Sequence, residues 1–522
     1  MPRVGSLVQV VVFTNTSRSD CVRFNQYCRA HDPPIGFIAA DVQGAAGWAF
    51  SDFGDKWAVT DGNGEPLRSG IVAHISDNAD GHSLTVMVNE KTPHGLTDGD
   101  YVVFQEVEGM TGLNGGEPRK VSNCVPRSFS IEKTASLGAY TGGGVFEQVK
   151  MPVTMGFQSM RARIAAPMTS VGMVTPDMGA MDAPRKLHVA FQGLDAFRNA
   201  HDGALPRLHD DDDAAEVVEL ATKFNATHEP PLETVDVEFT KRVAKLARAE
   251  FQPLCAFYGG AVAQEVVKFT GKYTPLDGWL YLDAMGALPT DLTAEELATP
   301  AGGSRYDHSI ALFGNTFFNR IRSLKLFLVG AGALGCEFMK AFALMGVGSQ
   351  GDGHVTVTDM DTIEGHNLNR QFLFRTEDVE KAKSTTAARA AQVMNPDLQV
   401  VAMQDPVGED TEHIFHDEFW DSQDVMVNAL DNIKARLYVD AKCVFHLKPL
   451  LESGTLGTKA NAQVVVPHKT QAYGDSRDPP EQSIPMCTLK NFPHKIEHCI
   501  EWARDDFAVR RLRIIYRFVS LS

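Results

Sequence analysis

Hydrophobic residues near the start of the chain form short continuous runs. Leu7–Thr14 and Ile35–Ala40 are two such runs, and Cys21–Ala30 between them has the composition of a helix. Continuous apolar runs separated by a helix are typical of a parallel sheet that is covered on both faces. The pattern predicts a buried strand at Leu7–Thr14, and we expect its sheet to contain further strands.

From about Thr60 the pattern changes to short strand-like runs between glycine-rich turns. The runs are Ile71–Ile75, Leu84–Val88, Tyr101–Val107 and Phe129–Ile131. Strands of this length and spacing predict a small antiparallel barrel or sandwich that ends near Lys150.

Residues 151–300 are predicted to be mainly helical. The helical segments are Ala214–Asn225, Val237–Glu250 and Ala261–Phe269, and the small residues of Thr299–Ser304 indicate a linker. The acidic run His209–Asp213 precedes the first of these segments. Acidic side chains are favoured at the positive end of a helix dipole, so this position explains them better than a metal or a basic partner does.

Composition and charge remove several classes of function. The 522 residues allow three or four domains, and a net charge of -17 argues against a broad nucleic-acid-binding surface. No segment approaches the roughly 20 apolar residues of a membrane span, and no secretory leader is evident. The eight cysteines contain no CxxC pair, so neither a zinc site nor a disulfide framework is indicated. A reducing cytoplasmic or nuclear location fits best.

Three glycines connect a predicted buried strand to a predicted helix. Gly330, Gly332 and Gly335 lie between Leu324–Val329 and Cys336–Met345. In this context the first glycine permits a tight turn, the second a close approach of phosphate or ribose, and the third packs helix on strand. The motif alone is a weak signal, because a purely structural turn has the same spacing.

The residues after the next strand narrow the kind of nucleotide site. Asp359 is placed to accept hydrogen bonds from ribose hydroxyls, which an NAD-dependent oxidoreductase would explain equally well. Asp361 adds a carboxylate that could hold Mg²⁺. Arg370 and Lys383 would neutralise a triphosphate, which disfavours hydride transfer. For Lys383 an ordinary surface-helix lysine remains an open alternative.

These motifs resemble the active adenylation domain of ubiquitin-activating enzymes. The resemblance rests on Gly330–Gly335, Asp359-x-Asp361, Asn367-x-Asn369–Arg370–Gln371–Phe372, Asn428–Asn432, Leu450–Thr458 and Pro485-x-Cys487–Thr488–Leu489–Lys490. It is specific over residues 305–507 and weaker but continuous over residues 5–300. It implies an α/β fold with a Rossmann-like, ThiF-type adenylation domain, a partial inactive adenylation domain, an inserted small β domain and a helical bundle.

The resemblance also implies domain boundaries. Residues 1–57 and 231–300 would belong to the inactive adenylation domain, and residues 301–483 to the active one. The first catalytic-cysteine half-domain would cover residues 58–150, the helical bundle residues 151–230, and the start of the second half-domain residues 484–522.

Roles for individual residues follow from the resemblance in the same way. Ubiquitin would be adenylated with ATP and Mg²⁺ and then held as a thioester on Cys487, although a lone cysteine is more often a buried apolar residue. The nucleotide would be bound by Gly330, Gly332, Ala333, Gly335, Asp359, Asn367, Arg370, Lys383, Val407 and Asp431. Arg370 and Lys383 would also act in catalysis, and Asp361 and Asp431 would hold the metal.

The resemblance implies ubiquitin and ubiquitin-conjugating enzymes as partners, with no nucleic acid and no membrane. The family enzyme is expected to be monomeric and to act in the cytoplasm and nucleus. The sequence departs from the family at both ends. A preceding segment that supplies an arginine, and the later domain that docks conjugating enzymes, have no counterpart here. We expect residues 508–522 to lie outside the family's pattern. We therefore expect an incomplete enzyme that folds poorly alone.

The sequence leaves three other functions open. They are an inert fragment that still binds ubiquitin or nucleotide, an activating enzyme for another ubiquitin-like protein, and the disfavoured oxidoreductase.

Overall fold

A computed structural model describes residues 8–88, 93–134, 137–167, 173–174, 179, 181–227, 231–298, 303–457, 459–476 and 502–503. These residues form open sheets of five and six strands, a two-stranded sheet, a closed barrel and several groups of helices. The mixed α/β architecture with a barrel and a helical bundle confirms the predicted fold class.

The strands and helices have the following bounds. The strands are β1 Val10–Thr14, β2 Gly36–Gln43, β3 Ala46–Asp52, β4 Trp57–Val59, β5 Ser69–Asp77, β6 Ser83–Val88, β7 Tyr101–Glu108, β8 Arg119–Val125, β9 Ser128–Glu132, β10 Gly142–Val149, β11 Val153–Met155, β12 Met173–Val174, β13 Gly278–Asp283, β14 Lys325–Val329, β15 His354–Thr358, β16 Val400–Met403, β17 Val425–Asn428, β18 Leu450–Leu456 and β19 Lys459–Val465. The helices are α1 Arg18–Ala30, α2 Met160–Ala165, α3 Ala183–Ala200, α4 Asp211–Asn225, α5 Val237–Leu246, α6 Gln252–Lys268, α7 Asp307–Phe313, α8 Asn315–Arg322, α9 Ala333–Met345, α10 Lys383–Met394, α11 Asp417–Ser422 and α12 Ile433–Phe445.

The first sheet has the order β1-β2-β3-β13-β12. β1 pairs parallel with β2, as the apolar runs predict, but β2 and β13 pair antiparallel with β3. The predicted burial of the first strand is wrong, because β1 lies at the edge of the sheet and Val12 is 44% exposed. The sheet's core is aromatic: Phe37, Phe50, Trp279 and Tyr281 are fully buried.

Strands β5 to β10 close into an antiparallel barrel in the order β10-β5-β6-β9-β8-β7. This confirms the predicted small β domain. Its interior is filled by apolar side chains, including Phe104, Phe129 and Phe146. The chain enters and leaves the barrel side by side, because β4 before it pairs antiparallel with β11 after it, with Trp57 opposite Met155.

Helices dominate residues 151–300, but their bounds differ from the prediction. α5 ends at Leu246, and α6 begins at Gln252, well before the predicted start. α4 begins inside the acidic run: the Asp210 side chain accepts a hydrogen bond from the Asp213 N–H at 2.9 Å. The run therefore caps a helix, as its position relative to the dipole predicts.

The second sheet has the order β16-β15-β14-β17-β18-β19, parallel except for β19. From β14 the chain builds outward through β15 and β16, and then returns to the other side of β14 with β17. The strand order therefore reverses between β14 and β17. In such sheets ligands bind outside the carboxyl ends of the strands at the reversal point. In the part of the chain that the structure describes, no helix is both long and apolar enough to cross a membrane.

Candidate nucleotide-binding site

The glycine loop lies at the reversal point of the second sheet. Gly330 follows β14 with a φ of 102°, and a Cβ atom there would lie 2.5 Å from the Ala429 carbonyl oxygen at the end of β17. A Cβ atom on Gly335 would overlap the Gly330 carbonyl oxygen. The first and third glycines are therefore required by close backbone packing, as the motif predicts.

The middle glycine faces open space. The nearest heavy atom to a Cβ on Gly332 would be Nε2 of Gln371, 4.0 Å away. Gly332 is also the N-cap of α9 and provides no side chain to the first N–H groups of that helix. A helix N-terminus with free N–H groups attracts anions, so this space suits a phosphate or a ribose.

Asp359 fastens the glycine loop to the end of β15. Its Oδ2 accepts a hydrogen bond from the Ala331 N–H at 2.7 Å, and its Oδ1 accepts one from the Asp361 N–H at 2.9 Å. Burial raises the pKa of the Asp359 carboxyl above its usual value, and the Ala331 N–H opposes this effect. Each carboxylate oxygen keeps a lone pair that could accept a hydroxyl donor.

Lys383 and Asp361 form an ion pair beside this loop. Nζ of Lys383 lies 2.6 Å from Oδ2 of Asp361, and the Lys383 N–H donates to the Asp361 carbonyl at 3.0 Å. Lys383 is only 8% exposed, so the surface-lysine alternative is wrong. Lys383, which is predicted to contact phosphate, thus forms an ion pair with Asp361, which is predicted to hold the metal.

Arg370 and Asn367 belong to the loop that follows Asp361. Arg370 is exposed, and its Nη1 donates to the His366 carbonyl at 3.2 Å. Asn367 is buried, and its Oδ1 accepts from the Glu364 N–H at 2.9 Å. Asn367 therefore shapes the loop, and its predicted contact with nucleotide stays a prediction.

The remaining predicted residues lie after β16, after β17 or at the start of α9. Ala333 is the first residue of α9 and is half-buried, while Val407, after β16, packs against the apolar cluster around Phe415. Asp431 is exposed three residues after β17. The described residues contain no group of three or more His, Cys, Asp or Glu side chains that could hold a metal.

Two buried side chains at this edge were not among the predicted binding residues. Gln371 is 3% exposed, and its Oε1 has no hydrogen-bond partner among the described residues. Glu452 is a buried acid in β18, directly after Leu450 and Leu451. The motif Leu450–Thr458 contains it, and that motif is the sequence signal that could have singled out Glu452. Cys487 lies outside the described residues.

Comparisons with known proteins now decide the family. The ThiF family model matches residues 306–516, so the prediction that the resemblance ends at residue 507 is wrong. Models of the ubiquitin-activating enzyme E1 FCCH domain and four-helix bundle match residues 81–150 and 151–225. Ubiquitin-activating enzyme E1 1 of Schizosaccharomyces pombe is 48% identical over 500 residues, which is 95% of this chain. The chain belongs to the ubiquitin-activating enzyme family.

Other members of the family are similar to the chain over the same extent. Ubiquitin-activating enzyme E1 1 of Candida albicans is 46% identical over 95% of this chain, and human ubiquitin-like modifier-activating enzyme 1 is 45% identical over 96%. These matches cover 48%, 48% and 47% of the fission yeast, Candida and human proteins. The chain therefore spans about half the length of the curated relatives that it matches.

Proposed function

We propose that this chain adenylates the C-terminal carboxylate of ubiquitin with ATP and Mg²⁺, and that Cys487 then accepts ubiquitin as a thioester. The main support for the adenylation step is the close approach of Gly330 to the Ala429 carbonyl, at the reversal point of the second sheet. This contact closes a glycine loop whose middle residue faces open space, next to the carboxylate of Asp359.

The residues present fit ATP. The N–H groups at the start of α9 would donate to phosphate oxygens, and the open space beside Gly332 would leave room for phosphate or ribose. Asp359 would accept hydrogen bonds from ribose hydroxyls, and Lys383 would supply positive charge beside them. Ala333 and Val407 would line the nucleotide pocket, and Arg370 would contact phosphate from the neighbouring loop.

The residues also fit Mg²⁺. This ion commonly takes one or two carboxylates and completes its shell with water and substrate phosphates, so a protein cage of three acids is not required. Asp361 and Asp431 would be its protein ligands. Bound Mg²⁺ would neutralise charge on the phosphates during transfer.

In the first reaction, a carboxylate oxygen of ubiquitin would form a bond to the α-phosphorus of ATP. The bond from that phosphorus to the bridging oxygen would break, and pyrophosphate would leave. The protein mostly positions the reactants and neutralises charge, because little covalent chemistry is required of it.

In the second reaction, the Cys487 thiolate would attack the acyl carbon of the adenylate and displace AMP. The proposal for Cys487 is supported by the Pro485-x-Cys487–Thr488–Leu489–Lys490 motif and by membership of the family. The described cysteines are poor candidates; for example, burial raises the pKa of Cys336 to about 12. Ubiquitin-conjugating enzymes would receive the product in the cytoplasm and nucleus.

The test incubates the chain with ATP, Mg²⁺ and ubiquitin and measures pyrophosphate exchange and a thiol-sensitive ubiquitin adduct. We expect both signals, with the adduct absent in Cys487→Ala and exchange absent in Asp431→Ala. Cys124→Ala is the matched control, because Cys124 is half-exposed on the barrel and its pKa is raised to about 12 by burial and Asp98.

Each other outcome removes part of the proposal. Exchange without an adduct would restrict the chain to adenylation. Loss of both signals, with ubiquitin still bound, would leave a binding fragment. Exchange with another ubiquitin-like protein but not with ubiquitin would change the substrate.

A further inference from the structure

A buried chain of contacts connects β17, β18 and α12 directly beneath the segment that carries Asp431. Asn428, the last residue of β17, is fully buried, and its Nδ2 donates to Oε2 of Glu452 at 2.6 Å. The other carboxylate oxygen of Glu452 lies 3.3 Å from Nη1 of Arg436 in the first turn of α12. The side chain of Glu452 is 0% exposed and that of Arg436 is 15% exposed.

The chain of contacts ends on the residue before Asp431. Nη2 of Arg436 donates to the Leu430 carbonyl at 2.6 Å. The guanidinium is held close to the backbone of β18, because a Cβ on Gly454 would overlap it. Arg436 thus lies between the backbone of β18 and the Leu430 carbonyl.

The segment 429–432 is fixed at both ends as well. The Ala429 N–H donates to the Val329 carbonyl at 2.8 Å, and the Asn432 side chain accepts from the Ala435 N–H at 2.8 Å. The Asp431 carboxylate itself is exposed, and no described residue donates a hydrogen bond to it. The backbone around Asp431 is therefore held while its carboxylate stays available.

We propose that Glu452 and Arg436 are positioning residues that hold the Leu430 carbonyl, and thereby aim the Asp431 carboxylate at a divalent cation. This rests on the proposed function for the cation itself. Groups that orient a ligand without touching the metal commonly change metal affinity by about 10- to 100-fold when they are removed. The burial of Glu452 fits this role, because a buried carboxylate costs stability unless it is paired.

The first measurement is hydrogen exchange of the ligand-free protein in peptides that cover residues 429–436. Glu452→Gln removes the charge that pairs with Arg436. Arg436→Lys keeps the positive charge, but a single ammonium cannot pair with Glu452 and donate to the Leu430 carbonyl at once, as the guanidinium does. We expect exchange there to become about tenfold faster in both variants, the change that corresponds to one lost hydrogen bond. Unchanged exchange would overturn the positioning role whether or not the chain binds ATP.

The second measurement is ATP binding by calorimetry at increasing Mg²⁺, with Mn²⁺ binding by electron paramagnetic resonance as a second probe. Both variants should need about 10- to 100-fold more Mg²⁺ for half-maximal binding, with little change in binding when EDTA is present. Equal loss of binding with and without Mg²⁺ would overturn the proposal.

Lys442→Gln is the control for general damage to α12. Lys442 lies on the same helix, its side chain is 21% exposed, and it pairs with Glu412 at 2.8 Å rather than with Glu452. Its Mg²⁺ requirement should equal that of the unmodified protein, and a matching rise would show that the effect is structural. If the unmodified protein fails to bind ATP at all, the proposed function fails while the exchange result still decides the positioning role.

Discussion

Nζ of Lys383 lies 2.6 Å from Oδ2 of Asp361, at the point where α10 begins. Two residues to which the sequence assigns separate tasks, phosphate binding and metal binding, therefore share one ion pair. If Asp361 is a metal ligand, it must serve Mg²⁺ and Lys383 together. If it is not, its task is to place Lys383. The two possibilities differ in how ATP binding depends on Mg²⁺.

Asp361→Asn should weaken binding of Mg²⁺–ATP by about 10-fold or more, the usual cost of losing a charged contact. Binding of ATP in EDTA should be unchanged or stronger, because a negative charge near the phosphates is removed. Lys383→Ala should weaken both. Calorimetry with and without Mg²⁺ measures the ratio of the two ATP affinities in each variant.

Glu337→Gln is the control for this pair of variants. It breaks another lysine–carboxylate pair of the same domain, Glu337–Lys340, whose carboxylate is 55% exposed against 57% for Asp361. It should change neither binding constant. If Asp361→Asn weakens the binding of Mg²⁺–ATP and of metal-free ATP equally, Asp361 acts through Lys383 and the metal role is wrong.

Alanine substitutions at two positions of the glycine loop should have different effects. Gly335→Ala should lower stability, and Gly332→Ala should remove ATP binding. Gly335→Ala should destabilise the domain by about 1–3 kcal/mol, because the new methyl group would overlap the Gly330 carbonyl. Gly332→Ala should cost about 1 kcal/mol or less, since space is open there, yet it should abolish ATP binding. Thermal melting and calorimetry measure the two effects.

Gly365→Ala serves as the neutral substitution, because no described residue other than its own chain neighbours has an atom within 4 Å of its Cβ position. Retained ATP affinity in Gly332→Ala would mean that the nucleotide does not enter the space above this glycine.

Asp41 predicts a pH dependence of stability in the first sheet. Burial raises its pKa to about 6, against the opposing hydrogen bond from Gln43. The fold therefore favours the protonated acid: the contribution to stability is full below the ordinary pKa of 3.8 and is lost as the pH rises through about 6. Asp41→Asn should stabilise the sheet by about 1–3 kcal/mol at neutral pH and much less at about pH 4.

Trp48 lies opposite Asp41 in the β2–β3 pair, so urea unfolding followed by tryptophan fluorescence is a suitable measurement. Asp52→Asn should have the opposite effect, because the fully buried Asp52 carboxylate pairs with Arg29 at 2.7 Å. We expect Asp52→Asn to lower the free energy of unfolding by about 3–5 kcal/mol. Destabilisation by Asp41→Asn at neutral pH would refute the assignment.

The exposed edge of the first sheet predicts self-association. β1 pairs with β2 alone among the described strands, and an exposed apolar edge can pair with another chain. Val12→Lys should reduce association in sedimentation velocity experiments without lowering stability. Val393→Lys, which replaces an 80% exposed valine on α10, should leave association unchanged. Equal effects of both variants would point to general surface charge. The expectation of poor folding stays a prediction, to be tested by monodispersity and a cooperative melt.

Local features of the site could be predicted because their causes lie within a few residues of each other. The turn at Gly330 and the acid at the end of β15 follow from one strand, one loop and one helix. The barrel was predictable for the same reason, since its strands and turns alternate regularly along one stretch of chain.

Features that depend on distant residues were not predictable. The edge position of β1 depends on which strands join the sheet, and β13 pairs with β3, which lies more than 200 residues earlier in the chain. The contact of Arg436 with Leu430 and Glu452 exists only once β17 and β18 lie side by side.

The pairing of β4 with β11 gives the barrel a simple relation to the rest of the molecule. Because Trp57–Val59 and Val153–Met155 run next to each other, the whole barrel occupies the place of a hairpin turn. A gene encoding a short turn between these strands would close the same ladder, so the barrel can be acquired, exchanged or deleted without rethreading the sheet that carries it.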